Sequence, residues 1–402
     1  MSKSSGSSWL KFGLFSVGLG QSFVFVLVPP LARDLGLSEF QVSLIFAFSA
    51  VAWALTSAMW GRASDKYGRR NIAILGLLGY AFSLVALITP LFLAEKNILN
   101  ITFLFPMLIL GRLVNGLVGS ATRPAAFAYV ADTTSKSKRT VKFARLESSF
   151  LIGTVSGPLI GGFLILISNE APFYIFSLIA LIASIGIYKN VENIPQKTKE
   201  SNINNISWLT DTIWPFLLLA SITSFCNASL FQSIGFYVND SFSSLDDLAI
   251  IVSITFTLLS ISSIVSQYLF TDQFPLAHYK LLIYGSLMMV LSYISMGYSD
   301  KISIYYLSII MNGLGIGMIR PAISSSLSIS QSPENQGSAA GYLGSVIPIG
   351  HLMTPFVAMP IYGINPSYLY YFSSMLCVLC IIFIISHPIF KKSGYEKSIT
   401  SS

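Results

Sequence analysis

The sequence predicts an all-α membrane protein: twelve transmembrane helices in two pseudo-symmetric six-helix bundles. Three observations predict it. Hydrophobic residues make up 53% of the 402 residues and charged residues only 10%, with a mean hydropathy of +0.69, a balance that excludes an ordinary soluble enzyme. Apolar runs long enough for roughly 30 Å of hydrocarbon recur twelve times, six on each side of a polar, Asn-rich segment. Lastly, Asn115-Gly116-Leu117 followed by Arg123-Pro124-Ala125 returns as Asn312-Gly313-Leu314 followed by Arg320-Pro321-Ala322, the same order displaced by 197 residues.

Taken in order, the first run, Phe12 to Ala32, follows Lys3 and Lys11 in the manner of a signal peptide. It is too long for one, lacks a small-residue cleavage site and is followed by many similar runs, so it reads as the first span. The next five spans fall at about 41–60, 72–93, 102–130, 148–167 and 172–188. A linker at 189–213 separates this bundle (1–188) from the second (214–402), whose spans fall at about 214–238, 248–270, 281–298, 303–327, 339–360 and 368–387.

Orientation follows from Lys and Arg. With both termini in the cytoplasm, eighteen of the 24 basic residues lie inside, among them Arg62, Lys66, Arg69, Arg70, Lys136, Lys138, Arg139, Lys197, Lys199, Lys280 and Lys397. Arg33, Lys96 and Lys301 lie outside, and Arg112, Arg123 and Arg320 lie within spans. The positive-inside rule expects this asymmetry, so the net charge of +7 reports topology rather than a nucleic-acid partner. A multi-pass protein of a cell membrane, such as a bacterial inner membrane, is expected, and it is expected to work as a monomer in the lipid bilayer.

The loop between the second and third spans reads Gly61-Arg62-Ala63-Ser64-Asp65-Lys66-Tyr67-Gly68-Arg69-Arg70. Its glycines permit a tight reversal, and Asp65 among Lys66, Arg69 and Arg70 can form a cytoplasmic charge cluster that holds one conformation closed. The competing reading is that these charges only fix topology, though a loop needing only charge needs neither the aspartate nor the glycines. On the fifth span Gly153, Gly157 and Gly161 recur every four residues, a strip along which another helix can approach closely, beside Gly162 and the helix-bending Pro158.

The Gly61–Arg70 loop resembles the major facilitator superfamily loop motif, with Lys66 in a place often taken by Arg. Arg112 with Gly116 resembles that family's second motif, Asp132 matches the acidic residue ending the fourth span, and GTVSGPLIGG, Gly153 to Gly162, resembles the fifth-span motif of the twelve-span drug:proton antiporter branch. The corresponding C-terminal loop, Tyr268 to Asp272, is degenerate. The resemblance implies the major facilitator fold and an export preference. It also implies a gating or latch set of Asp65, Arg69, Arg70, Arg112 and Asp132, and spans one, four, seven and ten around a central cavity.

At 100° per residue Arg112, Asn115, Gly119 and Arg123 fall on one face of the fourth span, and Pro124 and Pro321 free carbonyls at Ser120 and Gly317. With spans one, four, seven and ten around the cavity, as the resemblance implies, the repeat-related pairs Gln21/Gln232, Asn115/Asn312 and Arg123/Arg320 would face each other across it as the expected substrate-binding residues, two arginines being suited to a carboxylate or phosphate. The bland alternative is that Arg123 and Arg320 snorkel to the cytoplasmic interface. No acidic residue stands at mid-bilayer, so the candidates for proton coupling are Asp34, Glu147 and His351, the last near the middle of span eleven with an ordinary pKa of about 6.5. A lone helical histidine is also commonly a packed, hydrogen-bonded residue.

Cys226, Cys377 and Cys380 form no metal or disulfide framework, and no metal or cofactor is expected. No GxxxxGKS/T stretch occurs, and the Gly313 to Gly317 run lacks the strand a dinucleotide loop requires. The expectation is a secondary transporter, not an enzyme. It would work by alternating access and export a small organic molecule in exchange for protons, the cargo being an anionic polycarboxylate such as a carboxylate siderophore, or a lipophilic drug. Proton-coupled import of an organic anion is the alternative. A receptor on the same fold would need a soluble signalling segment, and terminal stretches of about eleven and fifteen residues are short for one.

Overall fold

The computed structural model describes residues 3–134, 136–193, 207–245, 247–273, 276–331 and 336–392. Most of the expected linker (194–206) and the basic residues Lys197, Lys199 and Lys397 lie outside them. The described residues are helical throughout, without a strand. Twelve helices among them are long and apolar enough to cross a membrane: Gly6–Asp34, Glu39–Tyr67, Arg69–Glu95, Ile101–Thr133, Arg145–Ile165, Ala171–Asn190, Trp214–Phe242, Leu248–Phe270, His278–Gly297, Ile302–Ile329, Gly341–Ile364 and Pro366–Ser386. They are numbered here as spans one to twelve.

The chain divides into two compact units. Unit 1 is Met1–Glu200 with Ile234–Asn239 and Leu245–Phe256, and unit 2 is Ser201–Ser233 with Asp240–Ser244 and Thr257–Ser402. In unit 1 span one packs along spans five and six, and span three lies against spans four and six. Phe23 meets Phe173 and Phe176 edge-on, both at 5.7 Å, a preferred aromatic geometry in a core that excludes lipid. In unit 2 span nine packs on spans ten and twelve, and Tyr293 stacks on Tyr370 at 6.5 Å. Large apolar side chains on the opposite faces, such as Phe103, Leu110, Phe163, Leu178, Leu307 and Met375, are exposed, as hydrocarbon solvent allows.

Short side chains close the helix starts. Ser38 and Gln41 form a reciprocal capping box at the start of span two, and Asn100 and Asn365 accept the backbone N–H groups of Thr102 at 3.0 Å and Ser367 at 2.9 Å. Each satisfies donors that a helix start leaves open. Between spans two and three the reversal turns on Gly68 at φ +91°, a conformation that glycine alone adopts without strain. A side chain there would also collide with Asn193, whose Nδ2 donates to Tyr67 O at 3.5 Å.

The repeat is visible in the hydrogen bonds. Ser83 Oγ donates to Gly111 O at 2.8 Å, and Ser292 Oγ donates to Ser308 O at 2.7 Å. Tyr80 Oη ties span three to Val17 O of span one, and Tyr293 Oη ties span nine to Cys226 O of span seven, each at 3.0 Å. Leu117 O accepts from Trp60 Nε1 at 2.6 Å, while its repeat mate Leu314 O accepts from Ser266 Oγ at 2.8 Å.

One element departs from the sequence reading. Span four is not a continuous α-helix: Ile101–Leu117 gives way to a 3-10 turn at Gly119–Ala121 before Thr122–Thr133 resumes. Pro124 supplies no N–H to Ser120, and span two stabilises the break, with Thr56 Oγ1 reaching Gly116 O at 3.0 Å and Ser120 Oγ at 2.9 Å. The turn alters the register of Arg123 relative to Arg112 and Asn115, which the sequence reading placed on one face of a regular helix. Span ten, with Pro321 at the matching place, stays α-helical over Ile302–Ile329. Its corresponding residues, Gly315 to Ile319, offer apolar side chains in place of Ser120 and Thr122.

Candidate functional site

The loop between spans two and three gathers around Arg69. Its Nε donates to Asp132 Oδ2 at 2.9 Å, its Nη1 to Ser64 Oγ at 2.5 Å, and its Nη2 pairs with Asp65. The guanidinium side chain is only 7% exposed, against 14% for Asp132 and 31% for Asp65. One planar fork therefore joins the adjacent ends of spans two, three and four, a role that Lys, a point charge, does not fill. Two members of the expected latch set stand apart from it. Arg70 lies over the Tyr188 ring at 5.1 Å, with its Nε toward Asn71. Arg112 is twenty residues from Asp132 on the same span, about 30 Å along a helix, so it cannot share the cluster.

Arg112 lies inside unit 1, 3% exposed, with its guanidinium over the Phe46 ring at 5.7 Å and Phe46 stacked on Phe25 at 4.5 Å. Its Nε and Nη1 have no hydrogen-bond partner in the structure, nor do Gln21 Oε1 and Asn115 Oδ1. Asn115 and Asn312 are both buried. Asn312 Nδ2 donates to Ser292 Oγ at 3.2 Å, and Asn115 Oδ1 crowds Gly119.

Arg123 and Glu147, assigned separately to cargo and proton, meet each other. Arg123 Nη2 donates to both carboxylate oxygens at 2.7 and 2.5 Å, the side chains being 42% and 38% exposed. The rings of Phe127 and Phe150 cover the guanidinium at 5.7 and 5.4 Å. Arg320 is exposed. Asp34 lines a recess of about 160 Å³ in unit 1, with Glu95, Asn169 and Glu170.

The glycine strip of span five runs along span one. A Cβ on Gly153 or Gly157 would strike the backbone carbonyls of Phe15 and Leu19, and one on Gly161 would strike the Phe23 ring. Gly162, off that strip, approaches Ser253. Pro158 lies within a helix continuous over Lys136–Ile165. The repeat mate of Gly153 is Gly350, whose Cβ would come within 2.6 Å of the Ser224 carbonyl on span seven.

One turn of span eleven carries His351. Pro355 supplies no N–H to the His351 carbonyl, and the helix widens into a π turn at Thr354–Ala358. Gln232 of span seven, buried, places its Nε2 at 3.2 Å from His351 Nδ1. Sequence reasoning named all four charged or amide groups of these two pairs, but not that they pair. It gave no role to Ser64 and missed Thr56, Trp60, Phe127 and Phe150 altogether. Their signal was available only in three dimensions, except that Thr56 and Trp60 lie four apart on span two and so face the same neighbour.

Twelve spans, an internal repeat and charged groups placed at membrane depth define a multi-pass membrane transporter rather than an enzyme. The chain belongs to the Major Facilitator Superfamily, whose sequence profile matches residues 10–355. It is 25% identical over 384 residues to Multidrug resistance protein 1 of Bacillus subtilis, covering 93% of this chain and 94% of that one. It is 26% identical over 373 residues to the quinolone resistance protein NorA of Staphylococcus aureus, covering 89% of each. The nucleoside transporter NupG shares the fold with a TM-score of 0.73 at 13% identity, over 95% of this chain and 99% of that one.

Proposed function

We propose that this transporter exports small lipophilic organic molecules in exchange for protons, by alternating access, from a bacterial inner membrane, as a monomer with both termini in the cytoplasm. The observation that carries the cargo class is the Arg123–Glu147 pair. The guanidinium expected to clamp a carboxylate already holds one, and the groups beside it are the aromatic faces of Phe127 and Phe150. A lipophilic solute uses such faces without displacing the pair. The drug resistance for which the two relatives are named supports the export direction. In this reading Arg69, Asp65 and Asp132 form the cytoplasmic latch, and His351 exchanges the proton.

The test uses inverted membrane vesicles with an acid interior. They accumulate a lipophilic fluorescent amine faster than matched vesicles without the transporter, and collapse of the pH gradient removes the difference. Accumulation only with the opposite gradient overturns export in favour of import. A second reading, transport of an organic polycarboxylate such as a carboxylate siderophore, draws on the exposure of Arg320. It predicts that Arg320→Ala abolishes citrate flux and spares the amine.

A further inference from the structure

Unit 2 contains one group that ordinarily titrates near neutrality at mid-span, His351, and the structure gives it a specific neighbour. Gln232 Nε2 and His351 Nδ1 lie 3.2 Å apart, linking spans seven and eleven. The two spans are also held close about two turns along span seven, where Ser224 Oγ donates to Ile347 O at 2.7 Å and Gly350 fits against the Ser224 backbone. The turn that follows is the π stretch Thr354–Ala358, a feature common at functional sites in helices.

Charged groups are scarce around this turn. Span eleven has none besides His351, and span eight has none. Span seven carries Cys226, Tyr237 and, at its outer end, Asp240, to which Tyr362 Oη donates at 2.7 Å. Span ten carries Arg320, and span twelve carries only tyrosines and the cysteines Cys377 and Cys380. The first half lacks the device. The residue matching His351 is Thr154, which turns its hydroxyl to Leu151 O at 2.7 Å, and Gln21, matching Gln232, is left with an unpartnered Oε1.

We propose that Gln232 is the positioning residue for His351: its amide fixes the imidazole tautomer, and the amide must reverse when the ring takes up a proton. This rests on the reading of His351 as the proton-exchanging group. With Nε2 of Gln232 donating, Nδ1 is the acceptor and the neutral ring carries its hydrogen on Nε2. When a proton from water forms a new Nδ1–H bond, that nitrogen becomes a donor. Two donors then face each other until the amide rotates and presents Oε1. Protonation is thus passed from span eleven to span seven as a change in one hydrogen bond, with no charge moving beyond the ring.

The experiment has two arms on purified full-length protein. In the first, ¹⁵N-histidine NMR in micelles compares the protein with His351→Gln, which identifies the His351 signal among three histidines. The expected resonance is the Nε2–H tautomer, and Gln232→Met, close in size but without a donor, turns it into a tautomer mixture. An unchanged tautomer in Gln232→Met overturns the proposal. In the second arm, proteoliposome flux is followed against pH at a fixed gradient. Gln232→Glu moves the midpoint upward by about one pH unit or more, because an adjacent carboxylate favours the imidazolium. Uniform loss of rate at every pH, with no midpoint shift, shows a merely structural role and also overturns it. An altered NMR tautomer with no proton-driven flux in the unsubstituted protein refutes the exchange reading while leaving the pair intact.

Discussion

Replacing Asp132 with Asn should destabilise unit 1 more than replacing Asp65 with Asn, although both carboxylates bind the same arginine. Asp132 is 14% exposed and receives the Nε–H at 2.9 Å, in line with the guanidinium fork. A charge-assisted hydrogen bond in that setting contributes about 1.5–3 kcal/mol. Asp65 is 31% exposed, so solvent screening reduces its share to about 0.5–1 kcal/mol. The double variant behaves differently from the sum. Each single variant leaves Arg69 one counter-charge, whereas both together leave a guanidinium that is 7% exposed with neutral acceptors alone, the two introduced amide oxygens, Ser64 Oγ and Gly61 O. Breaking a buried pair outright costs about 3–5 kcal/mol, so the double loss should exceed the sum of the singles by about 1 kcal/mol or more. Thermal unfolding of the four proteins in one detergent, read as a double-mutant cycle, measures this. Equal effects of the two single changes, or strict additivity, refutes the assignment of Arg69 as a shared fork.

Further predictions rest on single contacts. Gly157→Ala places a methyl against the Leu19 carbonyl and should cost about 1–3 kcal/mol despite the better helix propensity of Ala, while Gly344→Ala, with nothing within 4 Å, should be neutral or stabilising in the same thermal assay. Trp60→Phe leaves Leu117 O without its indole donor and should cost about 1 kcal/mol, and Ser266→Ala should do the same at Leu314 O. Arg123→Ala and Glu147→Ala should each lower amine export, and the exchanged pair Arg123→Glu with Glu147→Arg should recover part of it. No recovery in vesicle transport would show that each residue acts by itself.

The architecture was legible because hydrophobic length is a one-dimensional quantity: twelve runs of sufficient length give twelve spans. The Arg69 cluster was partly legible, since Asp65 and Arg69 are four apart and must share a helix face or turn, while Asp132 entered only through resemblance. The break in span four was not legible from Pro124 alone, because Pro321 stands at the equivalent place in an unbroken helix. What accompanies the break is Thr56, which reaches Gly116 O and Ser120 Oγ from about sixty residues away in sequence. Pairing of Arg123 with Glu147, and of Gln232 with His351, was hidden for the same reason.

The two halves differ in a way that separates scaffold from chemistry. Groups repeated at the 197-residue offset are those that hold helices together: Gly111 and Ser308 as acceptors, Leu117 and Leu314 as acceptors, Gly153 and Gly350 as close approaches. The charged or titratable groups mostly break the repeat. Arg112 is answered by Ile309, Asp132 by Ile329, Glu147 by Gly344 and His351 by Thr154, and of the intramembrane arginines only Arg123 has a counterpart, Arg320. Packing needs the same backbone approaches in both bundles, so duplication preserves it. A proton or a latch needs to act once per cycle, and a second copy would add the cost of another charge at membrane depth. The symmetric Arg320 is the exception that tests this view. If it is scaffold, Arg320→Gln should leave transport of neutral and anionic cargo equally intact; selective loss of anion flux would place it with the chemistry instead.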